Sequence, residues 1–326
     1  MKNQGSALPI ENAIEKAIEL LQKGEVVAIP TETVYGLAAD ALNSEAVARL
    51  FELKKRPKID PVIVHCYCAS HVFGFVRNLP EPARLLATTY WPGPLTLVLE
   101  KKESIPDIVS AGLPFAGFRV PKHPLTLKLI EKLGRPLAAP SANRFGKISP
   151  TSAQAVFEEF NHLIPLILDG GPCPVGIEST VISFAHDPPL LLRYGAIPRE
   201  EIEKRIGPLT LPAPKTAWNL APGRFPKHYA PSIPVEIISS VSEIPYWKRK
   251  NAGLIFWGTE DTTGFKVVKN LSKEKSLIEA AANFFQMLRE LDKSSIEKIY
   301  ALLLPEEGLG EAINERIKKA AGSPSP

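Results

Sequence analysis

Apolar positions recur at helical spacing over residues 11–23, where Ile14, Ala17, Ile18 and Leu21 share a face and Gly24 supplies a stop. The β-branched run 25–29 then reads as a buried strand ended by Pro30. Residues 44–55 predict a second helix with Ser44 as N-cap. Strands are expected at 61–68, 96–100, 118–120 and 136–139, with a helix over 125–133 closed by Gly134. Another helix opens at Ser149-Pro150, proline suiting the first helical position, and runs to about residue 161. Strands at 166–169, 179–183 and 190–192 follow. This irregular alternation predicts an α/β fold built on a twisted, mixed, open sheet.

The pattern changes at Gly207. Between residues 207 and 233 there are six prolines (Pro208, Pro212, Pro214, Pro222, Pro226, Pro231), no acidic residue, and the basic Lys215, Arg224 and Lys227. Such a stretch reads as an extended interdomain linker. Beyond it, strands are expected at 235–238, 253–257 and 298–304. Ser276 with Glu279 forms a capping-box arrangement for a helix whose apolar face is Ile278, Ala281, Ala282 and Phe285, and 312–320 is a last helix. The expected organisation is a first domain over 1–206, a linker over 207–233 and a small α/β domain over 234–326.

Composition narrows the class. Of 326 residues, 44% are hydrophobic and 23% charged, the balance of a soluble globular protein. No stretch reaches the ~18 apolar residues of a spanning helix, and residues 1–16 lack a secretory apolar core, so no membrane partner is expected. Three cysteines cannot make a disulfide framework, and a cytoplasmic location is expected. A net charge of +4 suits anionic substrates but is weak for a nucleic-acid binder.

The familiar phosphate loops are missing: there is no Gly-x-x-x-x-Gly-Lys-Ser/Thr and no Gly-x-Gly-x-x-Gly. Strand alternation puts Cys66 and Cys68 on an apolar row with Val62 and Val64, which reads as core cysteines rather than metal ligands. His65 falls on the other face, as a site residue or a satisfied core histidine. In extended geometry Thr31, Thr33 and Tyr35 point the same way after the first strand, as ligand contacts or an ordinary strand edge. Lys54-Lys55-Arg56 ends a helix, as a solvated turn or a clamp on phosphate oxygens. Arg119 stands inside an apolar strand, where its fork could receive a carboxylate or form a structural salt bridge. Ser141, Ser149 and Thr151 lead into a helix N-terminus, which is an anion site or a plain cap. Gly176-Ile177-Glu178-Ser179-Thr180-Val181 and Leu192-Arg193-Tyr194-Gly195 each place a polar residue at a strand terminus.

Together the stretches PTETVYGLAADA, KKRPKIDPVIVH, WPGPLTLVLEK, FRVPKHP, LAAPSANRFGKISPT, GIESTVI and LLRYGAI resemble the YrdC-type family of threonylcarbamoyl-adenylate synthases. APGRFPKHYAP, residues 221–231, resembles the linker of the long form, whose second domain is a smaller, Rossmann-like α/β unit. The resemblance implies that L-threonine, bicarbonate or carbon dioxide, and ATP give threonylcarbamoyl-AMP and pyrophosphate, for modification of tRNA at position 37. It assigns Thr31, Thr33, His65, Arg119, Ala139 and Ser179 to threonine. Lys54, Arg56, Asp60, Phe115, Ser141, Asn143, Ser149, Arg193 and Tyr229 are assigned to ATP, with Lys54 and Arg56 as catalytic residues. Phe115 stands where the family often has a hydroxyl residue, Asp60 where it often has Asn, and Arg224-Phe225-Pro226-Lys227 departs from the usual linker spelling. The implied partners are a downstream tRNA threonylcarbamoyltransferase complex and tRNA itself.

The physical demands agree with that reaction: threonine's carbamate attacks the α-phosphate, and the protein must position reactants and neutralise charge. Mg²⁺ is expected with ATP. Because the product is a reactive mixed anhydride, the basic linker is expected to act as a lid. The rival reading is an RNA-binding or ribosome-maturation protein without chemistry of its own. A third is a carbamoyl-handling module like the related domain of hydrogenase maturation proteins.

Overall fold

A computed structural model of the chain describes residues 10–211 and 228–322. Pro212, Pro214, Lys215, Pro222, Arg224, Pro226 and Lys227, and with them most of the expected linker and its lid role, lie outside the described residues.

Eight strands form the first sheet: β1 (Val27–Ile29), β2 (Gly36–Asp40), β3 (Ile63–His65), β4 (Leu95–Glu100), β5 (Phe115–Arg119), β6 (Leu137–Ala138), β7 (Thr180–Ser183) and β8 (Leu190–Arg193). Their order is β1-β2-β6-β3-β5-β4-β7-β8. Only β3–β5 and β4–β7 pair in parallel, so the sheet is mixed, as the sequence predicts.

Side chains alternate across this sheet. Ala28, Leu37, Val64, Leu97, Phe118 and Ile182 enter one core with the helices Ser44–Lys54, Glu81–Tyr90 and Arg199–Ile206. The opposite face is covered in two places. Val27, Ile29, Ala38 and Leu137 meet the helices Ile10–Gln22 and Pro124–Leu133. At the far end Val98, Val181 and Leu192 form a small cluster with Phe115. The strip between these patches carries His65, Thr96, Arg119 and Ser179, and it holds the cleft described below.

The second sheet is wholly parallel, in the order β11-β10-β12-β9, with β9 (Val235–Ile238), β10 (Ala252–Phe256), β11 (Val267–Asn270) and β12 (Lys298–Leu302). The helices Leu277–Asp292 and Leu309–Ala320 cover one face through Phe284, Phe285, Ile313 and Ile317. Ile244, Leu254, Phe256 and Tyr300 close the other. The first of these cores also takes in Val34, Ile148, Ile177 and Tyr229, so apolar packing joins the two sheets. At Gly176 a Cβ would stand 2.5 Å from the Ala281 carbonyl oxygen, and only glycine permits that approach.

Several expectations need correction. The helix after residue 43 is capped by Asn43, whose Oδ1 accepts from Glu45 N (3.0 Å) and Ala46 N (3.2 Å), not by Ser44. The helix expected from Ser149 begins at Ala153 with Ser152 as its cap, because the Ser149 hydroxyl is engaged elsewhere. The strand expected at 61–68 ends at His65. Residues 166–169 reach the first sheet only through a bridge between Ala28 and Ile167. Ser276 does cap its helix, but Ile278 is 73% exposed and Ala280, Phe284 and Leu288 join Ala281 and Phe285 on the buried face. The short helices Ala69–Phe73, Asp107–Ser110 and Tyr246–Arg249, and the longer Glu81–Tyr90 and Arg199–Ile206, were not expected. The longer two begin after Pro80 and Pro198, and a proline-led start masks a helix in a proline-rich sequence. No helix among the described residues is long and apolar enough to cross a membrane.

Candidate active site

A cleft of about 520 Å³, counting its open mouth, lies over the strip left between the two covered patches. Thr31, Thr33, Arg56, His65, Arg119, Ala139, Ser141, Arg193 and Tyr229 line it, together with Val34, Gly36, Ile63, Pro140, Glu178 and His228. Nine residues expected at one site thus converge from segments as far apart in sequence as Thr31 and Tyr229.

At one end the chain leaving β1 turns instead of staying extended. The Thr31 hydroxyl donates to the Val34 carbonyl (2.6 Å) and accepts from Thr33 N and Val34 N (3.2 Å each). Thr31 and Thr33 therefore face each other, hydroxyl to hydroxyl at 2.9 Å. Tyr35 does not join them: its hydroxyl donates to the Gly171 carbonyl (2.8 Å), and its ring is in the core. Thr33 Oγ1 accepts from Arg119 Nη2 at 3.0 Å, and the same nitrogen stands 2.8 Å from Glu32 Oε1. Arg119 thus combines both readings open to it, a salt bridge and a place in a cleft. Glu32, not singled out beforehand, sits between two threonines in the sequence and shows its role only through the turn.

His65 and Arg119 are register partners at the ends of β3 and β5. Burial, then the charge of Arg119, pushes the His65 imidazole down to about 3. The ring is neutral in the physiological range, with Nδ1 3.2 Å from the Ile63 carbonyl. A donating Nδ1–H leaves Nε2 as an acceptor for a ligand. Cys66 is buried in the core as expected, whereas Cys68, past the strand end, is half-buried 3.0 Å from the Ser70 hydroxyl.

The other end is cationic. The helix Ser44–Lys54 stops at Lys55 in a left-handed conformation (φ 51°), which turns Lys54 and Arg56 inward and leaves Lys55 in solvent. Arg56 donates to the carbonyls of Asp60 (2.9 Å) and Pro61 (2.7 Å) and pairs with the Asp60 carboxylate at 2.8 Å. Burial raises Asp60 to about 6 against the pull of Arg56, Lys54 and Arg193. Arg193 donates from Nε to the Ser179 carbonyl and from Nη2 to the Ser179 hydroxyl, both at 3.0 Å, and that hydroxyl meets Thr96 Oγ1 at 2.8 Å. Ser149 donates to Glu178 Oε1 at 2.6 Å. Tyr229 holds a left-handed backbone (φ 59°), a strained state that functional sites retain.

Six expected residues do not line the cleft. Lys54 lies beneath it and donates to the carbonyls of Ser141 and Asn143. Asp60, Ser149 and Ser179 each hold a group that does line it: Arg56, Glu178 and Arg193. Asn143 spends its amide on the carbonyls of Arg144 (2.7 Å) and Lys147 (2.9 Å). Phe115 lies four residues before Arg119 on the same face of β5, packed in the far cluster with Val98 and Leu192.

A family model described as "Telomere recombination" matches residues 19–195, and one described as "Threonylcarbamoyl-AMP synthase, C-terminal domain" matches residues 197–322. Curated threonylcarbamoyl-AMP synthases of Pyrococcus abyssi and Bacillus subtilis are 41% and 40% identical over 95% of this chain, covering 94% and 93% of their own lengths. The chain belongs to the threonylcarbamoyl-AMP synthase family. A crystal structure of the Pyrococcus abyssi protein complexed with L-threonine superposes with a TM-score of 0.87 at 41% identity, covering 95% of this chain and 94% of that one.

In this threonylcarbamoyl-AMP synthase family member, two cleft residues escaped sequence reasoning. His228 adjoins Tyr229, ring to ring at 4.1 Å, and burial followed by Lys319, Arg56, Lys54 and Arg193 keeps its imidazole neutral. Glu178 hid among small polar neighbours. Behind it stands Arg316, which does leave a signal: it falls four residues from both Ala312 and Ala320, inside the apolar stripe of its helix.

Proposed function

We infer that the chain joins L-threonine, a one-carbon unit from bicarbonate or carbon dioxide, and ATP into threonylcarbamoyl-AMP and pyrophosphate. One observation carries the reading. A single cleft joins an end built of Thr33, His65 and Arg119 to an end built of Arg56, Ser141 and Arg193.

The reactants sort by chemistry. The threonine carboxylate meets the guanidinium of Arg119, whose Nε serves the Gly93 carbonyl and whose Nη2 serves Thr33 and Glu32, by a charge-assisted hydrogen bond. The neutral His65 accepts from the amine without repelling it. The unprotonated amine adds to carbon dioxide and loses a proton, giving a carbamate. A carbamate oxygen then attacks the α-phosphorus of ATP and pyrophosphate leaves. No side chain has to be acylated. Arg56 and Arg193 supply fixed positive charge where charge develops on the phosphates. Lys54 shapes the Ser141–Asn143 loop from below, so its catalytic part is to hold that loop.

Glu32, Asp60 and Glu178 are each engaged by an arginine. Among the described residues no group of three or more His, Cys, Asp or Glu gathers to hold a metal ion. Mg²⁺ would arrive with the substrate, on the phosphates of ATP. The mixed anhydride would pass to a tRNA threonylcarbamoyltransferase complex.

Burial separates this reading from the RNA-binding one. Lys54, Arg56, Arg119 and Arg193 are 1%, 7%, 4% and 5% exposed, and cations so enclosed cannot run along a nucleic-acid backbone. The test is pyrophosphate release from ATP. It is expected only with threonine and bicarbonate together, and carbamoyl phosphate should not replace them. ATP turnover indifferent to threonine would overturn the assignment.

A further inference from the structure

Arg316 lies near the end of the last helix, far in sequence from the first sheet, and its side chain is fully buried. Nε donates to Glu178 Oε2 at 2.8 Å, and Nη1 donates to the carbonyls of Tyr194 (3.1 Å) and Ala312 (2.7 Å). Its guanidinium carbon stands 5.5 Å from the centre of the Tyr229 ring. Glu178 and Tyr229 both line the cleft. The other oxygen of Glu178 accepts from the Ser149 hydroxyl at 2.6 Å. A second arginine of the same region, Arg289, donates from Nη2 to the carbonyl of Ile148 at 2.7 Å. Two C-terminal arginines thus grip neighbouring residues of one loop, one by its backbone and one through a carboxylate.

We propose that Arg316 is a positioning residue for the nucleotide end of the cleft, acting through Glu178 on Ser149 and through ring contact on Tyr229. The proposal rests on the reading of the cleft given above. A buried carboxylate is stable only with a partner. Arg316 supplies that partner, so Glu178 keeps its charge and both its oxygens keep fixed directions. An ionised Oε1 can only accept, which forces Ser149 to donate to it and leaves the hydroxyl's lone pairs toward other donors. Without the guanidinium, Glu178 either takes up a proton or turns away, and Ser149 loses its orientation. The C-terminal domain on this account completes the nucleotide wall of the cleft and does more than pack against it.

The test uses the full chain with Arg316→Met, Arg316→Lys, Ser149→Ala and the Arg316→Met/Ser149→Ala pair. Pyrophosphate release is followed with ATP varied, and threonine affinity is measured calorimetrically. Arg316→Met is expected to lower kcat/KM for ATP by about 10–100-fold, the scale of a slightly misplaced group, with threonine affinity unchanged. In the Ser149→Ala background the same change should cost less, because one of its two routes is already cut. Arg316→Lys should recover part of the loss. Full additivity of the two substitutions, or an unaltered kcat/KM for ATP in folded Arg316→Met, would overturn the proposal; so would threonine and ATP affinities falling in step with thermal stability. If Arg316→Met fails to fold, the Arg316→Lys/Ser149→Ala cycle decides in the same way. If the wild-type chain releases no pyrophosphate, the assigned reaction is at fault, and the affinity of a non-hydrolysable ATP analogue across the same variants still judges Arg316.

Discussion

Glu32 Oε1 and Arg119 Nη2 stand 2.8 Å apart with both side chains nearly sealed from water, and the other Glu32 oxygen accepts from Lys122 N at 2.9 Å. The carboxylate therefore anchors the guanidinium from behind while the cleft uses its front. Arg119→Ala should weaken threonine binding by about 1.5–3 kcal/mol, the worth of a charged hydrogen bond. It should also cost stability, because Glu32 is left as an unpaired buried charge. Adding Glu32→Gln should restore stability but not threonine affinity. Calorimetric titration and thermal melts separate the two effects, and unchanged affinity in folded Arg119→Ala would remove that residue from the site.

Lys54 is expected to act as a brace. Burial, then the neighbouring Arg56, holds its ammonium well below the usual lysine range, yet it spans the carbonyls of Ser141 and Asn143. Lys54→Met should destabilise the fold by about 1–3 kcal/mol, because the Asn143 carbonyl loses its donor while that of Ser141 keeps Asn143 N at 3.0 Å. Denaturant titration measures this. Lost activity at full stability would show instead that the lysine touches substrate.

His65 gives the fold an acid sensitivity. The native imidazole stays neutral down to about pH 3, whereas the unfolded chain takes a proton near 6.5. Unfolding therefore binds a proton between these values, and stability falls as pH drops through that window. Between pH 7 and 4.5, His65→Asn should lose about 2–3 kcal/mol less stability than the wild type. Parallel stability curves for the two proteins would contradict the buried, neutral ring.

Gly195 guards the geometry around Ser179. A Cβ there would stand 2.3 Å from Ser179 C and Thr180 N, both backbone atoms with nowhere to go. Gly195→Ala should cost about 1–3 kcal/mol through overpacking and depress pyrophosphate release by displacing the carbonyl and hydroxyl that Arg193 holds. Melting and turnover measured together check this, and wild-type turnover would show that the strand end can shift freely.

Much of this architecture was legible because period and burial agreed. Ile14, Ala17 and Leu21 are buried where helical spacing put them, and the strands carrying His65 and Arg119 were recognisable from apolar runs around them. The turn at Thr31–Val34 was not, since hydroxyl-to-backbone bonds overrode the extended geometry that Thr and Tyr favour. Ser149 was misread as a cap because a carboxylate from a distant strand end claims its proton. Motif resemblance brought Lys54, Asp60 and Ser179 to the site, but only coordinates show that they stand behind its wall. Glu178 and Arg316 recognise each other across 138 positions, and no local pattern encodes such a pair.

The register of β3 on β5 has a consequence for substrate choice. His65 and Arg119 are direct neighbours on adjacent strands, so the gap between them is set by the ladder's own spacing of about 4.8 Å. Backbone hydrogen bonds act here as a ruler for the two Cα atoms, from which the imidazole and the guanidinium set out. A bulkier amino acid would have to be admitted by trimming other residues that line the cleft, such as Thr33. Discrimination by size is thus inherited from the sheet, and it should outlast drift in the sequence around it.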